Sequence, residues 1–348
     1  MKRLSRINVA LIAAILLTAT AAQAQQLHWQ VDAQGFFDNV EGNDAYRDDI
    51  THMGMRLAPQ LSIRSANQRH TLTAGYDALL EPGTKDVFTG GTAIAYYQYE
   101  QRGLRFLFGA YPRRLMHEQL SDYIVCDSLR RYRPNITGFD FLYTAPKGHV
   151  EVYLDWTAKQ QTEVREQFMV GLNARYQPGL LQMGLEGYGY HYALKLHGSD
   201  YGQRIHDYFI AHPYVGLRTN QLGPLSLLDV RAGLLVGADR DRADSQWHCP
   251  VGFVGDVRAQ WLGLILNQTV YAGKRQQHFG NQAFGEYYWG ETFVRSSWWS
   301  HTDLAYEILH DHDLSVRAGL VFNFTDKGLN WHQMLTLSYA IGGKLFGK

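Results

Sequence analysis

Two stretches in which apolar and more polar residues strictly alternate, joined by a long arginine-rich segment, constrain the fold of this chain more than any other feature. From Gly103 onward, Leu104, Phe106 and Phe108 alternate with more polar neighbours, and the pattern returns up to Ala145 with Phe139, Phe141 and Tyr143. A period of two with one apolar and one mixed face predicts a β-strand. The segment between the two strands, Pro112 to Asn135, is too long for a turn.

The same alternation recurs along the chain and predicts sixteen strands. Their connections are alternately tight and long, which is typical of a membrane barrel with short periplasmic turns and long extracellular loops. A soluble sandwich or propeller has no reason to alternate loop lengths in this way. We therefore predict an all-β protein, a transmembrane antiparallel β-barrel of about sixteen strands (14–16). Besides the two strands already described, the predicted strands are Leu27–Phe37, Met55–Arg64, His70–Leu80, Thr92–Glu100, His149–Ala158, Gln167–Tyr176, Leu181–Tyr192, Asp207–Arg218, Leu227–Gly237, Val251–Trp261, Leu264–Ala272, Trp298–Leu309, Leu314–Phe324 and Gln333–Ile341.

The first residues have the features of a secretory signal peptide. A basic start is followed by the apolar run Val9 to Leu17 and by the small residues Ala22 and Ala24 around Gln23. This pattern predicts cleavage after Ala24. We expect residues 1–24 to be the signal peptide and residues 25–348 to be a single barrel domain. Later in the chain, no stretch has the ~18 continuous apolar residues that a membrane helix needs.

Charge and cysteine content limit the partners. Acidic and basic residues balance at 33 each, which argues against nucleic acid as the main partner. We expect contacts with outer-membrane lipids and small polar solutes, leave a homo-oligomer possible, and expect no cofactor. Cys126 and Cys249 both fall in predicted external loops of an exported chain, so a disulfide and two free thiols both stay open.

The arginine-rich segment is the best candidate for controlling passage through such a barrel. A sixteen-stranded barrel encloses an aqueous channel unless loops fill it, and this segment is long enough to fold back into the lumen. An external lid over the mouth is the alternative. The predicted pore-lining and constriction residues are Arg113, Arg114, Arg130, Arg131 and Arg133 on the segment, together with Arg105, Asp140, Glu151 and Asp155 on the wall. The arginines of the segment could pair with Asp140, Glu151 or Asp155.

A serine, a histidine and an aspartate near the start of one predicted strand form a candidate catalytic arrangement. Ser297, His301 and Asp303 share one side of a predicted strand, as a nucleophile, a base and an orienting acid would. However, a lipase site must face the lipid or the rim, and His301 is predicted to face inward. We therefore expect no catalytic residues, no enzyme activity, and no effect of Ser297→Ala on any hydrolysis. The polar run His310 to Asp313 lies in a predicted tight turn, so no metal site is assigned.

The signal peptide and the alternating strands resemble outer-membrane barrels of the porin class. The long segment has the same ordinal position as the constriction loop of sixteen-stranded general porins. Asp155-Trp156-Thr157, Arg165 to Met169 and Tyr132 to Ile136 are most similar to outer-membrane barrels of Bacteroidetes-type bacteria that have no assigned activity. The chain departs from the porin pattern of a terminal Phe, because Gly347 and Lys348 follow Phe346.

The resemblance implies a porin-like channel for the diffusion of small polar solutes across the bacterial outer membrane. The alternatives are a structural or surface-binding barrel with a plugged lumen and an outer-membrane hydrolase.

Overall fold

The computed structural model describes residues 25–196, 204–243, 246–280 and 285–347. The signal peptide predicted for residues 1–24 lies outside them. Within the described residues the chain forms sixteen strands. In chain order they are β1 (Gln26–Gly42), β2 (Ile50–Arg64), β3 (His70–Leu80), β4 (Phe88–Gln101), β5 (Leu104–Pro112), β6 (Asn135–Ala145), β7 (Gly148–Ala158), β8 (Gln167–Tyr176), β9 (Leu181–Tyr192), β10 (His206–Thr219), β11 (Leu227–Asp241), β12 (Val251–Trp261), β13 (Leu264–Gly273), β14 (Trp298–His310), β15 (Leu314–Thr325) and β16 (Gly328–Phe346).

The strands form one closed antiparallel barrel. Each strand pairs with its sequence neighbours, and β1 pairs with β16 to close the sheet. The closing ladder runs from Leu27 opposite Phe346 to Gly42 opposite Asn330. The predicted fold class and strand number are confirmed. The main differences are at strand ends, since β4 begins at Phe88 and β16 continues to Phe346.

Tight turns at one end of the barrel follow from residues that accept a left-handed backbone. Arg102 and Gly103 have φ values of 49° and 80°, and Leu262 and Gly263 have φ values of 47° and 83°. Positive φ at both central residues matches the right-handed twist of the flanking strands in a two-residue hairpin. Gly103 has a second reason to be glycine, because an added Cβ would lie 2.4 Å from the Thr144 carbonyl oxygen.

The two faces of the wall have different chemistry. One face carries exposed apolar and aromatic side chains, including Leu61, Leu72, Phe108, Phe141, Val215, Leu234, Trp261, Trp298 and Tyr306. The opposite face carries buried charged residues such as Arg56, Asp140, Glu151 and Asp256. Alternation along each strand places the first set outward and the second set in the lumen. An apolar outer band of this kind suits a bilayer.

Helical structure in the described residues is short and lies between strands. It consists of a 3-10 turn at Arg113–Leu115, the helix α1 (Asp127–Tyr132) and a 3-10 turn at Thr292–Arg295. None of the described helices is long and apolar enough to span a bilayer. The first two belong to the arginine-rich segment, and the third belongs to the long connection between β13 and β14.

An outward-facing charge should destabilise this barrel according to its depth in the bilayer. Leu234 is exposed on the outer face, halfway along β11. We expect Leu234→Arg to lower the free energy of unfolding by ~2–4 kcal/mol, the cost of arginine against lipid near the midplane. Urea titration of the protein folded into lipid vesicles measures this. Leu222→Arg, in the turn between β10 and β11, is the matched control and should cost less than about 1 kcal/mol.

Candidate functional site

The arginine-rich segment folds into the lumen and is held there by one buried tyrosine. The Tyr123 hydroxyl lies 2.7 Å from His212 Nδ1 and 2.9 Å from Asp256 Oδ2. Ser121 donates from its hydroxyl to Glu186 Oε1 at 2.6 Å and from its backbone N–H to Oε2 at 2.9 Å. Burial raises the pKa of the Tyr123 hydroxyl well above its usual value, so it remains a proton donor.

A second long connection packs against the first inside the barrel. The Cys126 N–H donates to the Trp289 carbonyl at 2.8 Å, which joins the two segments through their backbones. The backbone N–H of Trp289 donates to the Tyr188 hydroxyl at 2.9 Å, which attaches the second connection to the wall. Trp289, Phe293 and Ile124 are fully buried in the resulting apolar cluster. We call residues 113–134 and 274–297, as far as they are described, the plug.

The arginines of the plug pair with different acids, and their partners differ from those expected. Arg113 Nη2 lies 2.6 Å from Asp155 Oδ2, as the sequence suggested. The other arginines find acids elsewhere: Arg114 pairs with Asp32, Arg130 with Asp122 and Asp127, and Arg131 with Asp38. Arg133 lies over the Trp289 ring, 5.1 Å from its centroid. The expected partners Asp140 and Glu151 were already engaged, because the strand register places them beside Arg105.

The remaining predicted pore residues are Arg105, Asp140 and Glu151, and on the wall Arg105 contacts both acids. Arg105 Nη2 lies 2.8 Å from Glu151 Oε1 and 3.2 Å from Asp140 Oδ1. The backbone N–H of His117 also donates to Glu151 Oε1 at 2.8 Å, so the plug covers this wall contact. These residues therefore anchor the plug. Control of passage by the nine predicted residues stays a prediction.

The plug fills the lumen unevenly. It packs against the inner faces of β5 to β14, and a cavity of about 480 Å³ remains beside β1 to β3 and β14 to β16. Its lining is highly charged with both signs, and includes Asp32, Arg56, Asp77, Arg114, Asp303 and Arg317. Most of these charges are paired, for example Arg317 Nη2 with Asp303 Oδ2 at 2.5 Å. The space that the plug leaves is therefore a charged gap along one wall of the lumen.

The Ser297, His301 and Asp303 arrangement does not form a catalytic triad. The Ser297 hydroxyl donates to Asp326 Oδ2 at 3.0 Å, and His301 Nδ1 lies 2.8 Å from Asn323 Oδ1. Asp303 accepts from Asn267 at 2.8 Å and pairs with Arg317. His301 and Asp303 share one face of β14 and Ser297 precedes that strand, but each of the three bonds to a neighbouring strand or loop instead of to the others.

A polar group at the outer face of β9, β10 and β11 escaped the sequence reasoning. Asp207 pairs in register with His191 on β9 and with Arg240 on β11. Asp207 shares its face of β10 with the exposed residues Phe209 and Val215. All three polar residues lie within two positions of the strand ends that carry the long loops. They therefore face outward at the extracellular edge of the apolar band.

The contacts within this group are short. His191 Nδ1 lies 2.9 Å from Asp207 Oδ1, and Arg240 Nη2 donates to Asp207 Oδ2 at 2.7 Å. Arg242, just beyond β11, donates to Oδ2 from Nε at 2.7 Å and to Oδ1 from Nη2 at 2.9 Å. Aromatic rings extend the group along the wall, since Phe168 lies 5.1 Å from the His191 ring. We call Trp156, Phe168, His191, Asp207 and Arg240 the outward row.

Other described histidine–carboxylate pairs lie in different places. His206–Asp239, His212–Glu186, His332–Asp38 and His149–Glu118 lie inside the barrel, at 2.5, 3.2, 3.0 and 3.9 Å. His310–Glu307 is at the end of the barrel with the short turns. The signal for the outward pair was in the sequence, because strand parity puts His191 and Asp207 on the face opposite the lumen charges. A rule that places every charged residue of a barrel strand in the lumen overlooks this pair.

Solved structures share this architecture. The Pseudomonas aeruginosa outer-membrane protein OpdK matches with a TM-score of 0.52 and 11% identity, covering 91% of this chain and 99% of that one. OprD from the same organism matches with a TM-score of 0.53 and 8% identity over 91% and 94% of the chains. A loop-deletion mutant of OmpT from Vibrio cholerae matches with a TM-score of 0.53 and 10% identity over 91% and 100%. No curated protein matches the chain at a significant level. The fold is that of a porin-like barrel of the bacterial outer membrane.

Family membership comes from a second comparison. The family model described as lipid A 3'-O-deacylase-type matches residues 19–346, nearly the whole chain, so the protein belongs to that family. This contradicts our prediction that the chain is not an enzyme. That prediction followed from the inward orientation of His301 and took no account of the outward face at the rim.

Both cysteines are free thiols, in contrasting environments. Cys126 is buried in the plug, and Cys249 is exposed in the loop after β11. Burial raises the pKa of the Cys126 thiol to about 12, so the reactive thiolate is scarce at neutral pH.

Selective alkylation tests this arrangement of the plug. At pH 8 we expect a maleimide to modify Cys249 and to leave Cys126 unmodified until the protein is unfolded, with mass spectrometry of peptides as the readout. Cys249→Ser should abolish labelling of the folded protein. Rapid labelling of Cys126 in that variant would mean that the plug leaves the lumen.

Proposed function

We propose that the protein hydrolyses an ester-linked acyl chain of lipid A, with His191 and Asp207 as the catalytic pair. The observation that carries this proposal is the outward orientation of the pair at the extracellular edge of the membrane band. The substrate of such a reaction is an outer-leaflet lipid, and a site in the lumen would be screened from it by the wall. The family assignment supports this reaction class.

The geometry assigns a role to each group of the pair. Asp207 accepts from His191 Nδ1–H, which fixes the ring and leaves Nε2 to act as a base. Arg240 and Arg242 keep Asp207 ionised by donating to both of its oxygens. Among the described residues no hydroxyl bonds to His191, so we assign the nucleophile to water. His191 Nε2 takes a proton from water as its oxygen bonds to the ester carbonyl carbon.

The step is completed by return of that proton. The tetrahedral intermediate collapses with cleavage of the bond from the carbonyl carbon to the sugar oxygen. His191 then gives the proton to the departing oxygen, which leaves a sugar hydroxyl and a free fatty acid. The exposed ring of Trp156 and the half-buried ring of Phe168 at the same edge offer an apolar surface for the acyl chain.

Substitution of the pair tests the proposal directly. We expect His191→Gln to lower the rate of lipid A deacylation by on the order of 10³-fold, because general acid–base catalysis contributes about 10²–10⁴-fold. The released fatty acid and the remaining lipid are quantified by mass spectrometry.

Two control variants separate a catalytic role from a general effect. His70→Gln changes an exposed histidine of β3, at the short-turn end of the barrel, and should retain full activity. Ser297→Ala should also leave deacylation unchanged. An unchanged rate in His191→Gln would rule out the assigned base, and a wild-type protein without deacylation would reject the function.

A second function, passage of small polar solutes, is favoured by the charged cavity between the plug and the β14–β2 wall. It is compatible with the first because lumen and outer face are separate surfaces. The plug narrows this path on one side, with arginines from α1 and from the 3-10 turn beside the cavity.

Deletion of the centre of the plug tests passage. We expect removal of Glu118 to Arg130 to raise single-channel conductance in a planar bilayer, because the deletion removes the Tyr123 anchor and the centre of the plug. Arg69→Gln, in a turn outside the lumen, should leave conductance unchanged. Equal conductance and selectivity with and without residues 118–130 would mean that solutes do not cross through the lumen.

A further inference from the structure

We propose that the loop between β1 and β2 closes the extracellular end of the charged gap and acts as a gate on it. We call residues 43–49 the gate loop. The inference deepens the second proposed function, passage through the lumen, and rests on it for the statement that solutes cross when the gate is open. Closure itself does not depend on passage.

Burial along the inner wall shows that the gap is closed at one end. On β1, Gln34 lines the gap and is exposed, whereas Asp38 and Val40, nearer the extracellular end of the same face, are 2% and 1% exposed. On β16, Ser338 is exposed and His332, nearer the extracellular end, is buried. The turn between β14 and β15, at the short-turn end, also lines the gap. The gap therefore opens toward the periplasm and is covered toward the outside.

The gate loop reaches from the wall to both segments of the plug. The Tyr46 hydroxyl donates to Asp326 Oδ1, in the turn between β15 and β16, at 3.1 Å, and Tyr46 is buried in this position. The Arg47 guanidinium donates to the Ser128 hydroxyl at 3.1 Å and to Glu291 Oε2 at 3.4 Å. One side chain thus holds the first and the second plug segment. The gate loop therefore crosses the extracellular end of the lumen.

Contacts of α1 with the wall complete the closure. Arg131 Nη1 lies 2.6 Å from Asp38 Oδ2 on β1. The Tyr132 hydroxyl lies 2.9 Å from His52 Nδ1 on β2 and donates to Glu81 Oε1, just after β3, at 3.1 Å. α1 therefore meets the same strands that line the gap, but nearer their extracellular ends.

The gate loop is attached less firmly than the plug. The plug is held by an apolar cluster and by buried hydrogen bonds, whereas the gate loop is held by Tyr46 and a few polar contacts. Arg47 and Glu291 keep 17% and 13% of their side chains exposed. Ion pairs in contact with water contribute little to stability, and segments with few apolar contacts open at a lower free-energy cost than the core. The gate loop can thus release while the plug stays in place.

Thiol accessibility at two depths of the inner wall tests closure without any flux. In a Cys249→Ser background, Val40→Cys places a thiol at the closed end, and Ser338→Cys places one in the open part of the gap. The full-length barrel in detergent is treated with a maleimide, and labelling rates are measured by mass spectrometry of peptides. We expect the thiol of Ser338→Cys to react at least about 10-fold faster than that of Val40→Cys, because the second requires local opening.

Removal of the gate contacts should expose the closed end. We expect Arg47→Gln to raise the labelling rate of Val40→Cys by at least about 10-fold, because it removes two hydrogen bonds of a charged group, and Arg131→Gln added to it should raise the rate further. Cys126 should stay unmodified in both, as a sign that the plug has not moved. Arg69→Gln, in the turn between β2 and β3, is the matched control and should leave the rate unchanged.

Planar-bilayer recordings connect closure to passage. We expect Arg47→Gln with Arg131→Gln to conduct for a larger fraction of the time than the wild-type protein, because the gate loop and α1 no longer hold the extracellular end shut. Arg69→Gln should conduct as the wild-type protein does.

The possible failures are distinguishable. Rapid labelling of Val40→Cys with the gate contacts intact, or an unchanged rate in the double arginine variant, would overturn the gate. Faster labelling together with an unchanged wild-type current would mean that solutes bypass the gate loop, and would also overturn it. Faster labelling with no current in any variant, including the deletion of residues 118–130, would keep closure by the gate loop and reject passage. Current through the wild-type protein with unchanged labelling in the double variant would do the reverse.

Discussion

The attachment of the plug to the inner wall is the constraint on which the rest of the structure depends. Tyr123 reaches His212 and Asp256 on two strands of the wall, while Ser121 saturates both oxygens of Glu186. These buried polar groups bond to one another, and removing one partner of such a bond would cost about 1–3 kcal/mol. The charged inner wall and the incoming segment therefore specify each other's positions.

The asymmetry of the plug decides which surfaces remain for function. Because two segments pack together against β5 to β14, the part of the lumen that they leave open is a charged gap beside the opposite wall. The same packing supports the strands whose outer faces carry His191, Asp207 and Arg240. A filled interior behind the proposed catalytic pair favours a fixed geometry at the outer face. The proposed lipid site and the proposed path for solutes thus lie on opposite faces of the same wall.

The outward row illustrates how exceptions to a pattern locate function. A lipid-facing position normally excludes arginine and aspartate, since a charge near the midplane costs several kcal/mol. Here the charges lie at the extracellular edge, are bonded to one another and are bordered by aromatic rings. These charged residues interrupt an otherwise apolar face, bond to one another and lie at the level of the lipid headgroups. Such an arrangement suits the binding of a polar ligand. The inward histidine pairs obey the pattern and need no such explanation.

The sequence alone determined the barrel, because the alternation of apolar and polar residues and the alternation of loop lengths are local properties. Each strand and each connection shows them in its own stretch of sequence. It also identified the segment from Pro112 to Asn135 as able to enter the lumen, from its length and its apolar centre. It could not determine the partners of Arg114 or Arg131, which bond to Asp32 and Asp38 from far earlier in the chain. Nor could it bring His191, Asp207 and Arg240 together, since each is on a different strand and their contact depends on the register of two ladders. Residues that meet across strands are separated by whole hairpins in sequence, and only closure of the sheet in one register sets their distances.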